Sequence, residues 1–167
     1  VIAASTTGND MSASPQVSVC VVTYNQAGFI DRCLESVVAQ FPAGDLEVLV
    51  GDDGSSDDTR ARIEAFASAY PGCIVPVFHP RNLGPSGNYR ELIARARGRY
   101  IAHLDGDDYW LPGKLRRQLA ALEARPELSA SIGNALVVDP AGRAIALFTD
   151  CARRDLDVDY LIAEGNF

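Results

Sequence analysis

Tyr100-Ile101-Ala102-His103-Leu104-Asp105-Gly106-Asp107-Asp108 is the stretch that decides the fold. Its apolar half reads as a buried strand, and an acidic cluster follows at once. The same arrangement occurs upstream, where Val48-Leu49-Val50 leads into Asp52-Asp53. Carboxylates are costly to bury. Both clusters therefore belong just past strand ends, at the rim of a sheet, where open α/β folds bind ligands. Carboxylates gathered at one rim repel each other unless a cation joins them. The pattern points to a divalent metal and, behind it, a phosphate-bearing ligand.

Outward from these strands, the chain alternates between two periodicities. Val17 to Val22, Leu46 to Val50, Ile74 to Phe78 and Tyr100 to Leu104 are apolar strands. Phe29, Ile30, Cys33, Leu34, Val37 and Val38 mark one face of a helix between the first two. Ile63, Phe66, Ala67 and Tyr70 mark a second helix, with Ser55 or Ser56 as its cap and Asp57 and Asp58 in its first turn. Tyr89, Leu92, Ile93 and Ala96 mark a third. After Pro112, Leu115, Leu119 and Leu122 face inward from a fourth. Ser129 to Val138 predicts a further strand, Asp139-Pro140-Ala141-Gly142 a turn, Arg143 to Phe148 the returning arm, and Asp155 to Ile162 a short helix. The expected fold is a three-layer α/β/α domain with a mostly parallel central sheet and right-handed crossovers.

Residues 1–15 are rich in Ser, Thr, Ala and Gly and lack periodicity, so a disordered arm is expected there. The sole methionine, Met11, is read as the natural start, with an expression remnant before it. One domain is expected over 16–167. At 167 residues, 47% hydrophobic and 22% charged, the composition is that of a globular domain. The net charge of −7 supplies no diffuse basic face for nucleic acid, although a bound metal can still bring an anionic ligand to a negative protein. No apolar run approaches the roughly 20 residues of a membrane helix. Cys20, Cys33, Cys73 and Cys151 lack metal-ligand spacing and read as reduced thiols of a cytoplasmic protein.

The candidate site residues follow the strands. Thr23-Tyr24-Asn25 places a hydroxyl, a ring and an amide at a strand end. These can hold a base or ribose, but the tripeptide by itself favours a polar strand-to-helix turn with Asn25 as a helix cap. In Asp52-Asp53-Gly54-Ser55-Ser56 a fixed carboxylate can accept a uracil N–H or ribose hydroxyls, and Gly54 permits a tight turn. Before the third helix, Asn82 can hydrogen-bond a nucleotide and Arg81 can offset phosphate charge; the roles of Asn88 and Arg90 are open. Asp105 and Asp107 suit a hard cation such as Mg²⁺ or Mn²⁺, completed by diphosphate oxygens and water. Gly106 lets the backbone come close to the ligand. His103 reads as a packed or hydrogen-bonded sheet residue, and Tyr109 and Trp110 as walls of a sugar pocket or aromatics under a loop. A nicotinamide dehydrogenase would carry a Gly-rich turn after the first strand, and Thr23-Tyr24-Asn25-Gln26-Ala27-Gly28 is not one.

In order, Val17-Ser18-Val19-Cys20-Val21-Val22-Thr23-Tyr24-Asn25, Val50-Gly51-Asp52-Asp53-Gly54-Ser55-Ser56-Asp57-Asp58-Thr59, Asn82-Leu83-Gly84, Gly98 to Trp110, Pro112 and Lys114-Leu115 resemble the family 2 glycosyltransferases. These enzymes have the nucleotide-diphospho-sugar transferase (GT-A) fold. The match runs from Val17 to Glu123. The resemblance implies a nucleotide-sugar donor, commonly a UDP-sugar, a divalent cation, a saccharide or lipid-linked acceptor, and inversion at the anomeric carbon. It implies a place in the cytoplasm, at the inner face of the membrane where acceptors are lipid-linked. Tyr24 would lie by the base with Thr23 near it. Asp53 would contact the uracil and Asp52 support the nucleotide site. Asp105 would face ribose or diphosphate, and Asp107 would ligate the metal. The family's general base normally lies beyond the hairpin. Asp150, Asp155, Asp157 and Asp159 read as surface or helix-start residues, so the base is expected past residue 167. A donor-binding module without turnover is the competing reading.

Overall fold

A computed structural model describes residues 1–3, 14–41 and 45–148. Its elements run β1 (Ile2–Ala3), β2 (Val17–Thr23), α1 (Ile30–Val38), β3 (Leu46–Asp52), α2 (Thr59–Ala69), β4 (Ile74–Phe78), α3 (Pro85–Arg95), β5 (Tyr100–Asp105), α4 (Lys114–Ala124), β6 (Leu136–Val138) and β7 (Ala144–Leu147). The main sheet has the order β1-β5-β2-β3-β4, with β5, β2, β3 and β4 parallel. The chain steps from β2 to β3 to β4 in one direction and then returns to place β5 on the other side of β2. The carboxyl ends of β2 and β5 thus form the switch point at which such sheets open a crevice.

Strand periodicity explains why β2 is apolar throughout. Val17, Val19 and Val21 join Ile30, Cys33, Leu34 and Val37 of α1, Ile63 of α2 and Leu115, Leu119 and Leu122 of α4 in one core cluster. Cys20 and Val22, on the opposite parity, join Leu49, Val77 and Leu92 of α3 in another. Helices therefore cover both faces, and the three-layer α/β/α expectation holds. Trimming any of these buried aliphatics to Ala would cost about 2–5 kcal/mol.

On the α3 face the sheet also buries charge. Ser18 and Glu47 are buried, Ser18 Oγ donates to Glu47, and Glu47 Oε1 receives Arg97 Nε at 2.7 Å. Ser18 Oγ also accepts the Gly98 N–H at 2.8 Å. A Cβ on residue 98 would lie 2.3 Å from the Ser18 nitrogen, so the turn into β5 requires glycine.

Several local expectations change. The arm expected to be disordered begins with a strand: Ile2 and Ala3 pair antiparallel with Ile101 and Tyr100, because the edge of β5 offers unpaired backbone groups. The rest of that arm, 4–13, lies outside the described residues. Phe29 is 57% exposed and Ile93 40% exposed, each at the margin of its helix's apolar face. Neither Ser55 nor Ser56 caps α2; Asp58 occupies that position without a side-chain bond.

The chain divides into two compact units, Val1–Ser131 and Ile132–Phe167. In the second unit the hairpin expected around Asp139–Gly142 is present. Asp139 Oδ1 accepts the Ala141 and Arg143 N–H groups, each at 2.9 Å, which closes the turn. Its outgoing strand is β6, Leu136–Val138, shorter than the expected Ser129–Val138. The helix expected at Asp155–Ile162 and the thiol Cys151 lie outside the described residues. No helix among the described residues is long and apolar enough to cross a membrane.

Candidate functional site

Both acidic loops are built from β2 outward. Thr23 pairs with Asp52 on one side, and Val22 with Asp105 on the other. The ladder then continues past the strand ends, with the Asp53 N–H on the Thr23 carbonyl at 3.0 Å and the Gly106 N–H on the Val22 carbonyl at 2.8 Å. These bonds bring the loops after β3 and β5 to opposite walls of one cleft of about 360 Å³. Thr23, Tyr24, Asp53, Asn82, Asp105 and Asp107 line it, together with Val22, Gln26, Pro85 and Asn88.

The remaining sequence candidates support the cleft from behind. Asp52 is buried, and its Oδ1 accepts both the N–H and the hydroxyl of Ser55. Asn25 takes a positive φ of 53°, donates its N–H to Ser55 Oγ at 2.8 Å and accepts the Ser56 N–H on Oδ1 at 2.8 Å. It thus ties the loop after β2 to the loop after β3 and is not the cap of α1, whose cap residue is Phe29. Gly106 is also hemmed in by the protein itself. A Cβ there would meet Gln26 Oε1 at 2.5 Å and Thr23 Oγ1 at 2.9 Å. Among the described residues, these two oxygens are buried without a hydrogen-bond partner.

Asp53 is buried, and its Oδ1 accepts the Leu83 N–H at 2.7 Å. That bond carries the loop after β4 to the cleft. Asn82 then turns the chain into α3 by accepting the Gly84 N–H on Oδ1 at 2.9 Å. Asn88 completes this wall. Its Nδ2 donates to the Gly51 carbonyl at 2.7 Å, and its Oδ1 pairs with His79 Nε2 at 3.0 Å. The sequence left the role of Asn88 open. The signal was Gly51, an isolated glycine inside an apolar strand, which marks close approach by a neighbour. Gln26 and Pro85 carried no comparable signal.

On the other wall, His103 Nε2 lies 3.1 Å from Asp105 Oδ1. That bond holds the Asp105 carboxyl below the ordinary range. The His103 ring meets Tyr89 edge-on, centroids 4.5 Å apart, so it is a hydrogen-bonded sheet residue as expected. Burial, with the charges of Asp107 and Asp105, pushes the Asp108 carboxyl up. Lined-up carboxylates that raise a neighbour's pKa are a place where a cation lowers the energy. Among the described residues no group of three or more His, Cys, Asp or Glu side chains forms a complete cage. Two carboxylates on a cleft fit a cation whose other ligands are phosphate oxygens and water. Trp110 is buried and Lys114 lies over its ring, 4.5 Å from the centroid, so Trp110 is an aromatic packed under the loop.

Comparison with known proteins agrees with this architecture. The model of the glycosyl transferase family 2 matches residues 18–144. The succinoglycan biosynthesis protein ExoO of Rhizobium meliloti is 38% identical over 136 residues, covering 81% of this chain and 38% of its own length. TarS of S. aureus in complex with UDP superposes with a TM-score of 0.60 at 28% identity, covering 66% of this chain and 33% of that one. The mannosyltransferase PcManGT from Pyrobaculum calidifontis, in complex with GDP-Man and Mn²⁺, gives 0.61 at 26% identity, covering 78% and 37%. The chain spans less than half the length of the curated relatives it matches, 44% for three mycobacterial proteins that are 34% identical over 151 residues. With its GT-A architecture and a family match across most of its length, the chain belongs to glycosyl transferase family 2.

Proposed function

We propose that this chain is the donor-binding part of a sugar transferase that uses a nucleotide-diphosphate sugar, a UDP-sugar by preference, with Mn²⁺ or Mg²⁺. The observation that carries this reading is the placement of Asp53 on one wall of a single cleft and of Asp105 and Asp107 on the other. Tyr24 and Thr23 lie at the nucleoside end, and Asp53 accepts the uracil N–H while Asp52 and Asn25 hold its loop. Asn82 and Asn88 close that side. Asp105, oriented by His103, receives ribose hydroxyls or faces the diphosphate, and Asp107 is the first choice as metal ligand. When bound, the cation neutralises the departing diphosphate. The acceptor is a saccharide or lipid-linked hydroxyl, and transfer inverts the anomeric carbon; the general base lies outside the cleft residues named here. That TarS was solved with UDP and PcManGT with GDP-Man and Mn²⁺ supports the donor class and the cation. The buried free thiols Cys20, Cys33 and Cys73 support a reducing, cytoplasmic setting.

A thermal-shift screen of UDP, GDP and CDP with and without Mn²⁺ tests the reading, since a ligand of the native state raises the melting temperature. A shift with UDP that grows when Mn²⁺ is added is expected. No shift with any nucleotide diphosphate would refute donor binding. Binding without hydrolysis or transfer of a UDP-sugar would favour the donor-binding module over the complete enzyme.

A further inference from the structure

One stripe of α1 holds the loop that carries the metal-binding candidates. The Arg32 guanidinium stacks 3.6 Å from the centroid of the Tyr109 ring. Its neighbour Cys33 donates Sγ–H to the Asp105 carbonyl at 3.7 Å. One turn on, Ser36 Oγ accepts the Trp110 N–H at 3.0 Å while donating to the Cys33 carbonyl at 2.7 Å. Just past the helix end, Gln40 Nε2 donates to the Leu111 carbonyl at 3.1 Å, and its Oε1 accepts the Leu115 N–H at 3.1 Å.

Positions 32, 36 and 40 share one helical face. Their partners, Tyr109, Trp110, Leu111 and Leu115, follow the acidic cluster in the same order. The cap residue of α4 is Gly113, which has no side chain to satisfy the first N–H groups of that helix. Gln40 supplies the missing acceptor from a different element. Locally, Asp108 donates back to Asp105 at 3.0 Å and Lys114 back to Leu111 at 3.2 Å. Those short bonds do not fix where Tyr109, Trp110 and Leu111 lie; α1 does.

We propose that Ser36 and Gln40 are positioning residues that set the stance of Asp107 toward a divalent cation without touching it, by holding the segment that follows it. The proposal rests on the donor-binding reading above. Groups that orient metal ligands in this way typically alter metal affinity by about 10–100-fold.

Trp110, the only tryptophan of the chain, sits inside the held segment and reports on it directly. The test uses Ser36→Ala and Gln40→Met, with folding checked by circular dichroism. The first readout needs no metal: acrylamide quenching of Trp110 fluorescence should rise several-fold in each folded variant. The second is calorimetry of Mn²⁺ with UDP present, beside UDP alone. Mn²⁺ affinity should fall about tenfold, with UDP alone unchanged. Gln40→Glu keeps the acceptor for Leu115 and loses the donor to Leu111, so it should fall between wild type and Gln40→Met. Unchanged quenching in folded variants overturns the proposal. An equal loss of Mn²⁺ and metal-free UDP affinity also overturns it, because that marks general loosening. If the wild type binds neither UDP nor Mn²⁺, the donor-binding reading fails on its own, and the quenching measurement still decides whether α1 holds the loop.

Discussion

Asn88 and Gly51 occupy each other's space: the asparagine Nδ2 donates to the Gly51 carbonyl at 2.7 Å, and its Oδ1 would lie 2.0 Å from any Cβ on residue 51. The cleft wall formed by α3 is thus keyed to β3 at one backbone position. Gly51→Ala should destabilise the fold by about 1–3 kcal/mol through overpacking. Asn88→Ala alone should lose the bonds to Gly51 and His79, yet it removes the atoms that the new methyl would strike. The double variant should therefore be more stable than the sum of the singles predicts, as measured by urea unfolding. Strict additivity would show that the two positions are not keyed.

Asp107→Asn tests the cation. An amide oxygen is a poorer ligand for a hard divalent ion than a carboxylate. Affinity for UDP in the presence of Mn²⁺ should fall by about tenfold or more, while affinity measured with EDTA stays constant. Equal Mn²⁺ dependence in a folded variant would remove Asp107 from the ligand set.

Asp53→Asn tests the base contact and keeps an amide oxygen for the Leu83 N–H. Uracil offers a donor at N3, whereas cytosine offers an acceptor at the same place. Replacing a carboxylate oxygen by an NH₂ group should lower UDP affinity by about tenfold and narrow or reverse the preference over CDP. Competition calorimetry with the two diphosphates reads this out. An unaltered UDP-to-CDP ratio would rule out the contact.

Lys114 gives a pH dependence. It is the only lysine of the chain, and its Nζ donates to Gln118 Oε1 at 2.7 Å. Burial lowers its pKa from 10.5 to about 8. Between those values the unfolded chain holds a proton that the folded chain has released, so this group's contribution to stability rises with pH across that window and is least favourable below it. Buried thiols act in the opposite sense, since burial pushes Cys20 up to about 12. The comparison with Lys114→Met isolates the lysine. From pH 7 to 10 the wild type should gain roughly 1–2 kcal/mol relative to the variant, allowing for the partly exposed side chain. Parallel stability curves would contradict the shift.

The parallel strands and both acidic loops were legible because their signals are local. An apolar run that ends in paired carboxylates has few other places to go than the carboxyl end of a buried strand. The inward faces of α1 and α4 were legible for the same reason, as Ile30, Cys33, Leu34 and Val37 recur with the helical period. What escaped depends on partners far away in sequence. Ser55 looks like a helix cap until the N–H of Asn25, in the loop after β2, claims its hydroxyl oxygen. Gln40 looks like a solvated helix end, yet its partners lie more than 70 residues onward. The pairing of Ile2–Ala3 could not be read from a stretch without periodicity, because the free edge of β5 draws it in.

The sheet's two margins are shielded by different means. On β4, Pro76 pairs with Val50 and has no N–H to offer to an incoming strand. On β5 the shielding is done by Ile2–Ala3, running antiparallel alongside it. A parallel sheet whose outer strand stands bare is a template for chain-to-chain polymerisation. The short antiparallel strap thus works as a guard against self-assembly as much as a part of the fold.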